Sequence, residues 1–211
     1  QQAWCNNAYN TFKDYDSYLV LIYLVNEIFK KLSDRFQYLT YQEFYERTEL
    51  LIDKINLIEI SKDLNIPKET IRRKVNFLQE QNIIFRKGKS IYFNRKLTDA
   101  QRPANSKKIM SVFLEKSGLI LAKESWFGRA FKRDEIENFI DKHFTICWQH
   151  WFRLQIPFLV RHRTFYGDLE TWNVWGSIGI SQFADYNKQV QNRVIEDPRS
   201  YADLYLHLLR H

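Results

Sequence analysis

The chain has little of what several large protein classes need. Two cysteines, Cys5 and Cys147, in 211 residues cannot form a disulfide framework and suit a reducing cytoplasm, the expected location. Six glycines and four prolines are too few for a collagenous, disordered or loop-dominated chain. The longest apolar run, residues 18–25, falls short of the roughly 20 residues a membrane helix needs. No secretory leader is visible, and no membrane partner is expected. The chain opens on Gln1 rather than Met, so residues can be missing in front of it.

Chemistry-bearing motifs are scarce too. Gly176-Ser177-Ile178-Gly179 lacks the preceding strand and the third glycine of a nucleotide-binding loop, and there is no zincin, zinc-finger or serine-hydrolase signature. Asp168 and Glu170 lie close together, as carboxylates on loops commonly do. His143, Cys147 and His150 fall at i, i+4 and i+7, which places three metal-ligand types on one helix face. A fourth ligand is missing, His162 being unsupported. They are weak metal candidates and read first as core or boundary residues. The expectation is a non-enzyme without a cofactor.

What is present is an aromatic, apolar, helix-forming chain with unevenly placed charge. Apolar residues make up 45%, with 16 Phe and 12 Tyr, ample for a core. The net charge of +7 divides into 6 basic and 9 acidic side chains in residues 1–60, 11 and 4 in residues 61–102, and 15 and 12 in residues 103–211. The central stretch alone matches the whole surplus. A positive field so concentrated suits a phosphate backbone; the plainer alternative is a solvated basic surface.

That stretch carries a helix-turn-helix pattern. Residues 57–64 and about 68–81 read as helices separated by Asn65-Ile66-Pro67. Asn tolerates the left-handed backbone that ends a helix. Pro67, at or near the first position of the next helix, loses nothing there, and Glu69 suits the positive end of the dipole. Ser61 is small where the two helices would cross. Ile71, Val75 and Leu78 form a buried stripe, which leaves Glu69, Arg73, Asn76 and Glu80 on the opposite face. In a major groove Arg73 can pair with guanine, Asn76 with adenine, and Glu69 can accept from cytosine. Thr70 joins them as a base-reading candidate, and Lys68, Arg72 and Lys74 are phosphate candidates. Asn82 is expected to end the second helix. Residues 83–85 and 91–93 are strand-like around Arg86-Lys87-Gly88-Lys89, where Gly88 permits a tight turn. Arg86, Lys87 and Lys89 can then reach phosphates or the minor groove, or simply solvate a hairpin tip.

Around this head, Asp14 or Asp16 can cap a helix over about 18–33. That helix is apolar nearly all round for two turns, so it should be buried on more than one side, in a dimer seam or against the C-terminal region. Thr40 and Glu43 form a capping-box pattern for a helix expected to run to about residue 53, with Leu50, Leu51 and Ile55 packing on the head as its first helix. Residues 97–106 read as a linker. A helix over 107–116 should break at Ser117-Gly118. A long helix from Arg133 should end or kink at Pro157, with an aromatic turn region at Trp172–Trp175 and further helices over 181–195 and 200–209. Trp126, Phe127, Trp148, Trp151, Tyr166, Trp172 and Trp175 can line an effector cavity or form core and subunit interface.

Residues 59–84, EISKDLNIPKETIRRKVNFLQEQNII, resemble the reading heads of winged-helix bacterial transcription regulators, in particular the cyclic-AMP-receptor and fumarate–nitrate-reduction superfamily. The matching run is Pro67-Lys68-Glu69-Thr70-Ile71-Arg72-Arg73. The resemblance implies that Lys68 holds a phosphate or flanking base, that Glu69 and Arg73 read base edges, that Ser61 is the small packing residue, and that Asn65 replaces the turn glycine. It covers about 40 of 211 residues. That superfamily places a β-rich sensor before its head, whereas helical sequence precedes this one and a helical domain follows, an order more similar to GntR-type architecture.

The combined expectation is a mainly α protein. It has an N-terminal helix for packing or dimerisation (14–36), a winged helix-turn-helix head with a small β-hairpin wing (40–98), and an all-helical, aromatic-rich domain (107–211) for dimerisation and possible effector binding. The expected function is sequence-specific binding of double-stranded DNA by a homodimeric transcription regulator. The alternative is a winged-helix protein-interaction or architectural module in a nucleoprotein assembly.

Overall fold

A computed structural model describes residues 9, 12, 14–53, 55–88, 90–94 and 104–191. Asp14 accepts hydrogen bonds from the Asp16 and Ser17 amides and starts helix α1 (Tyr15–Asp34). Its apolar residues run nearly all round, and it is buried accordingly. One side packs on α3, α4 and β1 of the head, the other on α7 of the C-terminal block. Of the two ways of burying this helix, packing within the chain is the one seen.

Thr40 and Glu43 cap α2 (Tyr41–Glu46) reciprocally, with Glu43 N to Thr40 Oγ1 at 3.2 Å and Thr40 N to Glu43 Oε2 at 2.8 Å. The helix stops there instead of reaching residue 53. Residues Glu49–Asp53 form strand β1. Leu50 and Ile52 are buried while Leu51 is exposed, the alternation of a half-buried strand, and β1 pairs antiparallel with β3 through Leu50↔Phe93 and Leu51↔Tyr92. This partner lies some forty residues away, so local propensity could not reveal it. The helix that packs on the reading pair is therefore α1, not the 40–53 segment.

Asn56 caps α3 (Leu57–Leu64), which ends at Asn65 in the left-handed region, φ 51° and ψ 43°. The Ile66 amide closes on the Ser61 carbonyl at 3.1 Å, and the Ser61 hydroxyl donates to the Ile66 carbonyl at 2.7 Å. Ser61 thus locks the turn by hydrogen bonding, beyond being small. Helix α4 (Lys68–Glu80) follows directly after Pro67. It ends as expected near Asn82, whose φ of 53° lets the Ile83 amide reach the Leu78 carbonyl at 2.9 Å. Strands β2 (Ile84–Lys87) and β3 (Ser90–Asn94) turn at Gly88, φ 61°. The sheet order is β1-β3-β2, all antiparallel. Helix, strand, helix–turn–helix and hairpin in this order make a winged-helix-like topology.

The C-terminal block is all helical: α5 (Ala104–Lys123), α6 (Arg133–Lys142), α7 (Phe144–Tyr166) and α8 (Leu169–Gln191). Helix α5 runs through Ser117-Gly118 without a break; one glycine costs about 1 kcal/mol, too little to stop a long helix. The long helix expected from Arg133 is itself divided at His143, φ −123° and ψ 38°. There Thr145 and Leu39 exchange hydrogen bonds, Leu39 N to Thr145 Oγ1 at 3.0 Å and Thr145 N to Leu39 O at 3.2 Å. Phe144 inserts among Phe29, Tyr41 and Phe44. Pro157 neither ends α7 nor begins a loop. Phe152, Gln155, Ile156 and Leu159 are buried on either side of it while Pro157 faces solvent, so tertiary packing outweighs the missing amide. Gly167, φ 87°, is the true corner, and Trp172 and Trp175 lie inside α8, not in a turn. Lys89, Cys5, most of the linker at 97–106, the end of the 181–195 helix and the helix at 200–209 lie outside the described residues.

Candidate nucleic-acid interface

Helix α4 is presented by its neighbours with one face down. Ile71, Val75 and Leu78 are buried, and α1 and α3 pack against that side. Glu69, Arg72, Arg73 and Asn76 are exposed, as is Lys68, and Thr70 is half-buried. The base-reading candidates therefore share an open face, as the 3.6-residue period requires.

Their electrostatic partners lie one helical turn away, except that of Lys74, which is distant in the sequence. Glu69 is held by Arg72 one turn on, Nη2 to Oε1 at 2.7 Å and Nε to Oε2 at 3.0 Å. The hydrogen bond from Arg72 keeps its carboxyl below the usual range. Arg73 Nη2 donates to Thr70 Oγ1 at 3.3 Å. Lys74 points away from this face. Its Nζ lies 2.6 Å from Asp14 Oδ2, with both side chains about a quarter exposed. Burial raises the Asp14 carboxyl, but hydrogen bonds from Lys74 and Ser17 outweigh it and leave the pKa lowered. Lys74 thus ties α4 to the cap of α1.

In the hairpin, Arg86 is exposed and carries no ion pair among the described residues. Lys87 lies over the stacked rings of Phe85 and Tyr92, 5.4 and 5.5 Å from their centroids, and pairs with Glu49 of β1 at 2.5 Å. Glu49 is the residue sequence reasoning missed here. The helix expected to run to residue 53 includes it, and only the β1–β3 pairing brings it beside the wing.

The turn itself is braced from the C-terminal block. Arg163 of α7 donates to the Asn65 carbonyl at 3.2 Å, and Asn65 Nδ2 donates to Thr164 Oγ1 at 3.0 Å. Tyr23 of α1 donates to Asp63 of α3 at 2.6 Å; burial, then Asp63, push its hydroxyl above the usual range.

The weak metal candidates do not converge. His143 is the exposed junction between α6 and α7 and lies against the Phe139 ring, at 4.6 Å. His150 is exposed, and Cys147 is half-buried, with burial pushing its thiol up to about 11. Among the described residues no group of three His, Cys, Asp or Glu could hold a metal ion. Among the described residues the seven aromatics divide by burial: Trp148 and Trp172 are core, Trp151 and Tyr166 are half-buried, and Trp126, Phe127 and Trp175 are exposed. A cleft of about 410 Å³ lies instead between the C-terminal end of α1 and strand β1, bordered by Lys31, Arg35, Arg47, Glu49, Leu51 and Tyr92. No described helix is long and apolar enough to cross a membrane.

No protein-family model matches the chain, and no curated protein or solved structure is significantly similar to it. The structure thus stands at the level of a winged-helix-like head joined to a helical block.

Proposed function

We propose that the protein is a sequence-specific double-stranded-DNA-binding transcription regulator acting as a homodimer. The observation that carries the reading is the uncovered outer face of α4, with Glu69, Arg73 and Asn76 exposed beside a basic hairpin. In this reading α4 enters the major groove, Arg73 and Asn76 read base edges with Glu69 and Thr70 beside them, and Lys68, Arg72, Arg86, Lys87 and Lys89 contact phosphates. Lys74 is engaged by Asp14 and contributes positioning more than phosphate contact. Two heads in a dimer would address half-sites about one helical turn, roughly 34 Å, or a multiple of it apart. For a small-molecule effector, the cleft beside Glu49 is the place from which binding would reach the wing through Lys87.

A second reading, a winged-helix protein-interaction or architectural module, is favoured by one observation: Arg72, Lys74 and Lys87 are each already paired with a carboxylate. Selection from a random duplex library separates the two. A recovered palindrome supports the regulator. Binding that is uniform across sequences and vanishes with salt, or no binding, leaves the interaction module.

A further inference from the structure

The brace between α7 and the reading turn sets a second cationic surface beside the first. Arg163 donates to the Asn65 carbonyl, and Thr164 accepts from the Asn65 side chain. The last turns of α7 therefore lie against the segment that leads into α4. They do so without covering it: Lys68, Glu69, Arg72, Arg73 and Asn76 stay exposed. In a helix-turn-helix the N-terminal residues of the second helix reach base edges in the major groove, while the first helix crosses the backbone. An element that flanks the turn between those helices is then set beside phosphates.

Composition shows what α7 brings there. From Lys142 to Gly167 the sequence has no Asp or Glu, but four Lys or Arg and three His. Arg163 is engaged by Asp16 and the turn. Arg153 and Arg161 are exposed, and their side chains make no ion pair among the described residues. At 100° per residue, Arg161 lies about 60° round the helix from Thr164 and Arg153 about 20° from it, so both fall on the same side of α7 as the residue that meets the turn. Arg161 is one turn from Thr164, and Arg153 is about 12 Å further along the axis.

Carboxylates around the turn and at the end of α7 are engaged elsewhere: Asp63 by Tyr23, Glu69 by Arg72, Asp168 by the Thr171 amide and Glu170 by the Tyr15 amide. A helix face with cations and no interspersed acid suits a polyanion. Position chooses which one, because the face continues the surface that α4 and the hairpin present to duplex DNA in the proposed function.

We infer that α7 carries the DNA contact beyond the reading head, with Arg161 and then Arg153 binding backbone phosphates that flank the site. These contacts add affinity without reading sequence. The inference rests on the proposed binding of duplex DNA but not on its sequence specificity, so the probe is a duplex of random sequence, about 40 base pairs long, titrated with the full chain over a range of salt. Arg161→Ala and Arg153→Ala should each lower the salt slope by about one unit with unchanged circular dichroism. Arg161→Lys, which keeps the charge, should retain the slope, as should Lys116→Ala on α5, which packs on α6. Because a variant can lose binding by misfolding, Arg161→Cys in a Cys5→Ser, Cys147→Ser background gives a second readout. Labelled with a photoactivated aryl azide it should cross-link to the duplex, and Lys116→Cys should not. A wild-type slope in either alanine variant, or no cross-link from position 161, overturns the inference while wild-type binding leaves the head's role standing. A slope change seen with single-stranded DNA alone also overturns it. Uniform binding across sequences with both slopes lowered fails the sequence-specific reading and supports this one. No binding of the duplex at low salt overturns both.

Discussion

Arg163 of α7 holds Asp16 of α1 through two nitrogens of its guanidinium, Nε to Oδ1 at 2.8 Å and Nη2 to Oδ2 at 3.2 Å. Both side chains are mostly buried, and the third nitrogen, Nη1, donates to the Asn65 carbonyl. One side chain thus joins the C-terminal block, the N-terminal helix and the turn of the reading pair. Arg163→Ala should destabilise the protein by about 2 kcal/mol, the scale of a charge-assisted hydrogen-bonded pair left half-made. Arg163→Lys should recover only part of this, since an ammonium cannot reproduce the planar fork. Urea unfolding checks it: the midpoint should fall, with little change in slope.

Asp14 serves two ends, capping α1 and holding Lys74. Asp14→Asn keeps a capping oxygen and loses the charge, whereas Asp14→Ala loses both and should cost about 1 kcal/mol more. The folded carboxyl has a lowered pKa. Its contribution is therefore complete above the unfolded value of 3.8 and is lost as pH falls through the lower folded value. Denaturation curves of wild type and Asp14→Asn should differ at neutral pH and converge in acid.

Glu49 restrains Lys87 on the sheet. If Lys87 meets phosphate, Glu49→Gln should release it, strengthening DNA binding at low salt, while Lys87→Ala should lower the salt slope by about one unit. Arg73→Ala should instead cost roughly 1–3 kcal/mol at one base position and little elsewhere. Titrations of matched and scrambled duplexes over a range of salt distinguish the two. Equal slopes for wild type and Lys87→Ala would rule out the phosphate contact.

Pro157 lies in an unbroken helix with its ring toward solvent. Pro157→Ala restores a backbone donor and removes the ring, and should stabilise α7 by about 1–3 kcal/mol. A higher melting temperature with unchanged oligomeric state is the expected result; a lower one would mean that α7 is built around a bend that the proline sets.

Local chemistry carried the reading pair. Asn65 and Pro67 punctuate it, Ile71, Val75 and Leu78 repeat at helical spacing, Thr40 and Glu43 make their box, and Gly88 turns the hairpin, because each of these effects acts within about four residues. The outward face of α4 follows from the same periodicity. Tertiary structure decided everything that needed a distant partner. Glu49–Asp53 became a strand because β3 offered it an edge and a buried side for Leu50 and Ile52. Pro157 stayed helical because neighbouring side chains were already committed to the core. His143 became a corner because Thr145 found Leu39. Lys74 and Lys87, alike in sequence as basic candidates, were separated from Lys68 and Arg86 by carboxylates sixty and thirty-eight positions away. Charge counted along a chain shows where a field is concentrated; which cations remain open to a partner depends on what folding sets beside them.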